Sequence, residues 1–242
     1  MSALVISHRT NMGTMPENTL AGIDAAIAAG ADAIEIDVQA TSDGVPVLLH
    51  DFSLERTTGD PRAVQEVSSA ELATLRVIDP FDAVGPQPVP TLAEVLALID
   101  GRRTLAIEVK QSRIEQLLKT VVRDAAASRW CWTWAFDPWV ASACAEALPE
   151  VPASLLVSQG SAERFGLDDP VTLAHGAGLA GISFEQSLVT SEAVSNAHSH
   201  GLAAYTWTVN ERIDISRVLE AGVDGVCGNY PDRIIEVKAA AR

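Results

Sequence analysis

The chain has 242 residues, 48% hydrophobic and 20% charged, enough to bury a substantial core in one domain of barrel size. Its 17 basic and 32 acidic residues leave a formal net charge of -15, which argues against nucleic acid or an anionic membrane surface as the main partner. An anionic substrate would depend on local positive charge, from a metal or a few placed Arg and Lys side chains.

The apolar run from Met1 to Ser7 is too short for a secretory leader and leads straight into His8-Arg9, and no stretch approaches a membrane span. Cys131, Cys144 and Cys227 have neither metal-ligand nor redox spacing and read as small buried side chains in a reducing compartment. A cytoplasmic protein without stable membrane anchoring is expected.

In chain order, Leu4 to Ile6 reads as a short buried strand ending at His8-Arg9. A helix follows from Glu17 to Ala29, with Asn18 or Thr19 capping its free amides and Gly30 stopping it. In the next strand Ile34, Ile36 and Val38 alternate with Ala33, Glu35 and Asp37. One face is therefore apolar and the other carries two carboxylates pointing the same way. Asp43-Gly44 makes a tight turn into a return strand, Val45 to Leu49, which ends in His50-Asp51. Pairing through that turn brings His50 to about the level of Asp37. Carboxylates alone suit a hard divalent cation, and a neighbouring imidazole suits proton transfer.

From Phe52 to Pro90 the periodicity fails amid Pro and Gly, with one short helical piece near Ser69 to Leu75, and this segment reads as an insertion on the loop face. Thereafter helices and strands alternate. Helices are expected over 91–100, 114–127, 138–148, 191–200, 211–221 and from Pro231, and strands over 105–109, 130–136, 153–157, 181–184, 202–207 and 225–227. A looser segment with a short helix near Val171 precedes the strand at 181. About eight strand–helix units in this length imply a closed (β/α)8 TIM barrel with a short β-hairpin return. An open doubly wound sheet lacks support, because no glycine-rich turn follows the first strand. The whole chain, 1–242, reads as one domain.

Working residues in such barrels lie at the carboxyl ends of strands. His8, Arg9, Asp37, Glu108, Lys110, Trp207, Asn229 and Tyr230 fall there. Glu108 and Lys110 share a strand face, either as a structural ion pair or as metal ligand and phosphate clamp. His175, His198 and His200 read as structural, the last two at a helix C-terminus where a cation is favoured. Trp130, Trp132, Trp134 and Phe136 are expected to pack a strand face against helices.

His8-Arg9, Pro16-Glu-Asn-Thr19, Glu35-x-Asp37, Thr41-x-Asp43-Gly44, His50-Asp51, Arg56-Thr-Thr-Gly59, Glu108-x-Lys110, Trp207-Thr-Val-Asn210 and the run from Gly225 to Asp232 together resemble the glycerophosphodiester phosphodiesterases. The resemblance spans almost the whole chain. It implies a (β/α)8 barrel that hydrolyses small-molecule glycerophosphodiesters to sn-glycerol 3-phosphate and an alcohol. It further implies a divalent metal, Mg2+ or Ca2+, on Glu35, Asp37 and Glu108, with His8 and His50 as the acid–base pair. Arg9 and Lys110 would hold phosphate oxygens and Trp207 would line the glycerol side. Two positions depart from the family pattern: Thr10 stands where Gly is usual, and Asn229 where Asp is frequent. A side chain at 10 is expected either to narrow the phosphate pocket or to re-route the loop. Two other readings follow from the same residues: a barrel that binds glycerophosphodiesters without turnover, and a related lyase that leaves a cyclic phosphate.

Overall fold

The computed structural model describes residues 3–166 and 169–240. Its nine strands are β1 (Leu4–Ser7), β2 (Ala33–Ala40), β3 (Pro46–Leu48), β4 (Thr104–Val109), β5 (Cys131–Ala135), β6 (Ala153–Val157), β7 (Gly181–Glu185), β8 (Ala203–Trp207) and β9 (Gly225–Gly228). All but β3 run parallel, each beside the next, and β1 pairs with both β2 and β9, so the sheet closes into an eight-stranded TIM barrel. Helices between the strands form the outer layer.

The register explains the extra strand. β1 pairs with β2 only as far as Ser7 opposite Ile34. Beyond that level β2 would show a bare edge, and β3 folds back antiparallel onto it, Val38 opposite Leu48 and Ala40 opposite Pro46. The hairpin therefore extends the barrel wall at its C-terminal rim and delivers His50 there.

Strand alternation sorts the side chains as the sequence indicates. Ile34, Ile36 and Val38 are fully buried in the layer between sheet and helices. Each such side chain contributes about 1.5–3 kcal/mol of burial free energy. The first long helix, α1 (Leu20–Ala29), is capped by Thr19, whose hydroxyl accepts from the Gly22 amide, and is stopped by Gly30 in the left-handed conformation. The segment after β6 holds two helices, Gln159–Phe165 and Pro170–Gly176. The first begins in a reciprocal Ser158–Ser161 cap, a polar pair that apolar periodicity does not reveal.

The aromatics of β5 correct one expectation. Trp132, Trp134 and Phe136 face the barrel interior rather than the helices, in one cluster with Ile6, Leu156 and Cys227. Trp132 and Trp134 lie 5.5 and 5.6 Å from Tyr205, and Phe136 meets Trp207 edge-on at 5.1 Å. Small residues make the space: Ala33 and Ala106 belong to the same cluster, and a Cβ on Gly181 or Gly225 would come within 3.1 or 3.0 Å of the Tyr205 ring. Only Trp130 packs outward, against the helical layer.

The insertion carries a second small core of Leu54, Val64, Val67, Leu72, Val77 and Val89, built on Val47 and Leu49 of the return strand. Its helical pieces are short, Glu55–Thr58 and Ser69–Leu72. No helix among the described residues is long and apolar enough to cross a membrane.

Candidate active site

At the carboxyl rim of the barrel, β2 and β4 run in register with Asp37 opposite Glu108. Alternation points Glu35, Asp37 and Glu108 inward, where one carboxylate oxygen from each lies within 4.8 Å of the others. All three are buried, Glu35 and Asp37 at 2% and 1% exposure. Burial, then repulsion from Asp37 and Glu108, pushes the Glu35 carboxyl well above the usual range. Burial and Asp37 push Glu108 up to about 7. Burial acts on Asp37 in the same sense, but Lys110 and Arg9 outweigh it and hold that carboxyl below its ordinary value.

Cations frame the three acids. The Lys110 ammonium donates to Glu108 at 2.5 Å and lies 3.6 Å from Asp37. Burial works against its charge, yet Glu108 and Asp37 raise its pKa. The Arg9 amide donates to Glu35 at 2.7 Å, and its guanidinium lies 3.4 Å from Asp37.

His8 directly follows β1, and His50 comes two residues after β3. His8 Nδ1 lies 2.7 Å from Asn229 Oδ1. An amide oxygen only accepts, so Nδ1 carries the proton and Nε2 keeps its lone pair. Burial and the Arg9 charge depress the His8 pKa to about 4. His50 Nδ1 lies 2.6 Å from Asp51 Oδ1, and Asp51 accepts from Arg56, which also bridges to Glu17. Those bonds, Arg56 first, hold the Asp51 carboxyl at about 2. Burial lowers the His50 pKa while Asp37 opposes it. Trp207 ends β8 with its indole N–H donated to the Ser183 carbonyl, and reaches the rim through Phe136, over whose ring Lys110 sits at 5.7 Å.

The structure thus brings Glu35, Asp37, Glu108, Lys110 and Arg9 into direct contact and sets both histidines against fixed acceptors on the same rim. His175 stands apart, paired with the His200 carbonyl, and His198 pairs with Asp224.

Three residues make contacts here that their places in the sequence did not indicate. Asn18, expected as a helix cap, instead grips Asp37 twice: its side-chain amide donates to Oδ2 at 2.8 Å and its oxygen accepts from the Asp37 amide at 3.1 Å. Gln39, fully buried, continues the Glu35–Asp37 alternation, and its amide donates to the carbonyls of Leu49 and Asp51 at 2.9 and 2.6 Å. That places His50 through the main chain. Asn229 is the partner of His8; its position was visible as a departure, its contact was not.

Thr10 does not turn its side chain toward the acids. Its backbone is left-handed, φ +73°, its hydroxyl donates to the Arg9 carbonyl at 2.5 Å, and the side chain lies over Gly22 of α1. The absent Cβ of Gly22 leaves the room that Thr10 fills.

The acid cluster fits a hard divalent cation. Glu35 Oε1 and Asp37 Oδ1 are buried without a hydrogen-bond partner, an arrangement that an oxygen-seeking ion would satisfy. Cys227 lies in the interior, and burial, then the acids, push its thiol well above the ordinary value, so it stays protonated and offers no thiolate.

Comparison with known proteins gives the same direction. The model of the Glycerophosphoryl diester phosphodiesterase family matches residues 8–233. A glycerophosphodiester phosphodiesterase of Caldanaerobacter subterraneus subsp. tengcongensis is 29% identical over 244 residues, covering 98% of each chain. A putative glycerophosphoryl diester phosphodiesterase from Silicibacter pomeroyi superposes with a TM-score of 0.91 at 30% identity, covering 99% of this chain and 94% of that one. A phosphodiesterase from Oleispira antarctica, solved in complex with its product sn-glycerol-3-phosphate, gives a TM-score of 0.82 at 27% identity, covering 98% of this chain and 96% of that one. With a family model matched across nearly its whole length, on a barrel whose rim carries that family's motifs, the chain belongs to the glycerophosphoryl diester phosphodiesterase family.

Proposed function

We propose that the protein hydrolyses glycerophosphodiesters to sn-glycerol 3-phosphate and an alcohol, with Glu35, Asp37 and Glu108 holding Mg2+ or Ca2+. The observation that carries this reading is the juxtaposition of three buried carboxylates with Lys110, Arg9 and two oriented histidines. A phosphodiester is anionic and resists attack, so its cleavage needs charge neutralisation, a base for the attacking hydroxyl and an acid for the leaving alcohol. A bound divalent ion would neutralise charge on the phosphoryl oxygens and lower the pKa of a neighbouring hydroxyl. Lys110 and Arg9 supply further positive charge at the phosphate, and Trp207 lines the glycerol side.

The two histidines differ in their partners, and that difference supports distinct roles for them. His8 is backed by a neutral amide and is neutral near pH 7, its Nε2 free to take a proton. His50 is backed by the Asp51 carboxylate, which works against the burial that lowers its pKa and so favours its protonated form relative to an amide partner. In the first step the glycerol C2 hydroxyl oxygen bonds to phosphorus as His8 Nε2 takes its proton. The bond from phosphorus to the alcohol oxygen breaks, and His50 gives that oxygen a proton. Water then opens the five-membered cyclic phosphate with the roles reversed, giving sn-glycerol 3-phosphate. The intramolecular attack gains the rate advantage of partners already joined.

The test is turnover by the purified protein on glycerophosphocholine, glycerophosphoethanolamine and glycerophosphoglycerol, with Mg2+ or Ca2+ and with EDTA. Glycerol 3-phosphate should appear only with metal, and a substrate lacking the C2 hydroxyl should bind but turn over very slowly. Binding without product would identify a binding protein, and normal turnover of the 2-deoxy substrate would indicate direct attack by water.

A further inference from the structure

A cleft of about 570 Å³ opens from Glu108 and Lys110 outward across the ends of β4, β5 and β6. Phe52 of the insertion forms its outer wall at 64% exposure, and Phe136, Phe165 and Arg164 line the other side. Trp207, assigned above to the glycerol side, meets Phe136 edge-on but does not itself line the cleft. The cleft's size far exceeds that of a small leaving alcohol.

Three phenyl rings around a cleft resemble a cage for a quaternary ammonium. Here two of the ring faces are already taken by the protein's own cations. The Lys110 ammonium sits 5.7 Å from the Phe136 centroid, and the Arg164 guanidinium 5.1 Å from that of Phe165. A choline or ethanolamine head group would meet positive charge where a cage offers an open π face. The cleft's acids do not reverse this balance. Glu108 is paired with Lys110 in the acid cluster, and Asp137 is engaged as a helix cap, accepting from the Trp139 amide at 2.8 Å. Among the described residues no carboxylate lies within 4.0 Å of the Arg164 guanidinium. Its planar fork suits a phosphate or carboxylate.

Resting on the hydrolase reading above, we infer that this cleft is the leaving-group subsite and that it selects glycerophosphodiesters whose alcohol carries a further anionic group, with Arg164 as the determinant. The phosphate diester is held at Lys110, and the second anion reaches Arg164 along the wall of Phe136 and Phe165.

The experiment compares kcat/KM for glycerophosphocholine with that for glycerophosphoglycerol bearing a terminal phosphate, in the wild type, Arg164→Gln and Arg164→Lys. The phosphate-bearing substrate should be preferred, and Arg164→Gln should lower the ratio of the two values by about tenfold, chiefly through KM, as expected for loss of one charge-assisted contact. Arg164→Lys should restore part of the ratio. A preference for glycerophosphocholine, or a ratio unmoved by Arg164→Gln, overturns the inference. If no substrate is turned over, the hydrolase reading fails separately. Tryptophan-fluorescence titration with the phosphate-bearing diester still decides the subsite: it should bind the wild type about tenfold more tightly than Arg164→Gln, and equal affinities overturn the assignment.

Discussion

Gly22 and Thr10 form a matched pair, and replacing the glycine with alanine tests the match. A Cβ at position 22 would lie 2.1 Å from Thr10 Oγ1, 2.9 Å from its Cβ and 3.3 Å from Thr19 Oγ1. Thr10 cannot yield easily. It is fully buried, its amide donates to the Glu35 carbonyl at 2.9 Å, and its own carbonyl accepts from Ser7 at 2.6 Å. Overpacking of a tight site costs about 1–3 kcal/mol, and so severe a clash belongs at the upper end. Alanine returns at most about 1 kcal/mol of helix propensity. The net loss is about 2 kcal/mol, or a Tm lower by roughly 4–8 °C at this chain length. Thr10→Gly should relieve the clash, because the added methyl then occupies the space the threonine vacates. It also removes a left-handed β-branched residue, a conformation that costs roughly 1–2 kcal/mol. Gly22→Ala, Thr10→Gly and the double variant should therefore be melted in EDTA as a double-mutant cycle. The double variant should recover most of the lost Tm, with a coupling of about 2 kcal/mol between sites. A Gly22→Ala protein as stable as the wild type, or single effects that simply add, would refute the reasoning.

Glu35→Gln, Asp37→Asn and Glu108→Gln should each abolish metal-dependent turnover, and full activity in EDTA with no retained metal would contradict the proposed ligand set. His8→Ala and His50→Ala should each lower turnover by about 10²–10⁴, the usual range for acid–base groups. His175→Ala should stay near wild type, and equal losses at all three positions would indicate a folding defect. The depressed His8 pKa, about 4 against an ordinary 6.5, means that the unfolded chain binds this proton more readily. Its contribution is present above pH 6.5 and is lost as pH falls toward 4. Urea denaturation of the metal-free protein should show that acid loss, and His8→Gln should flatten it. Asn229→Asp places a carboxylate 2.7 Å from His8 Nδ1 and should raise the midpoint of its NMR titration; an unmoved midpoint would show that burial alone sets it.

Strand alternation made the barrel and the acid cluster readable, because a period of two forces Glu35, Asp37 and Glu108 onto inward faces once eight parallel strands close. The sense of inward and outward failed for β5, where large aromatics occupy the interior. The compensating small residues, Ala33, Ala106, Gly181 and Gly225, are scattered over four other strands, and no local window contains the balance. Gln39 was open to the same alternation argument as Asp37, two residues on. The bonds from Asn18 to Asp37 and from Asn229 to His8 join segments whose spacing carries no periodic signal. Side-chain amides also cap helices and close turns so often that their identity alone does not choose among those uses.

The bond from His8 to Asn229 joins residues 221 positions apart. The three carboxylates all lie within the first 108 residues, but His8 acquires its partner only after β9 has paired with β1. On a ribosome adding about 5–20 residues per second, the emerging chain carries its three carboxylates for several seconds or more before that partner exists. On the proposed reading, the groups for cation binding come from the first half of the polypeptide, and proton transfer draws on both of its ends. Catalysis becomes a report that the two ends of the chain have met.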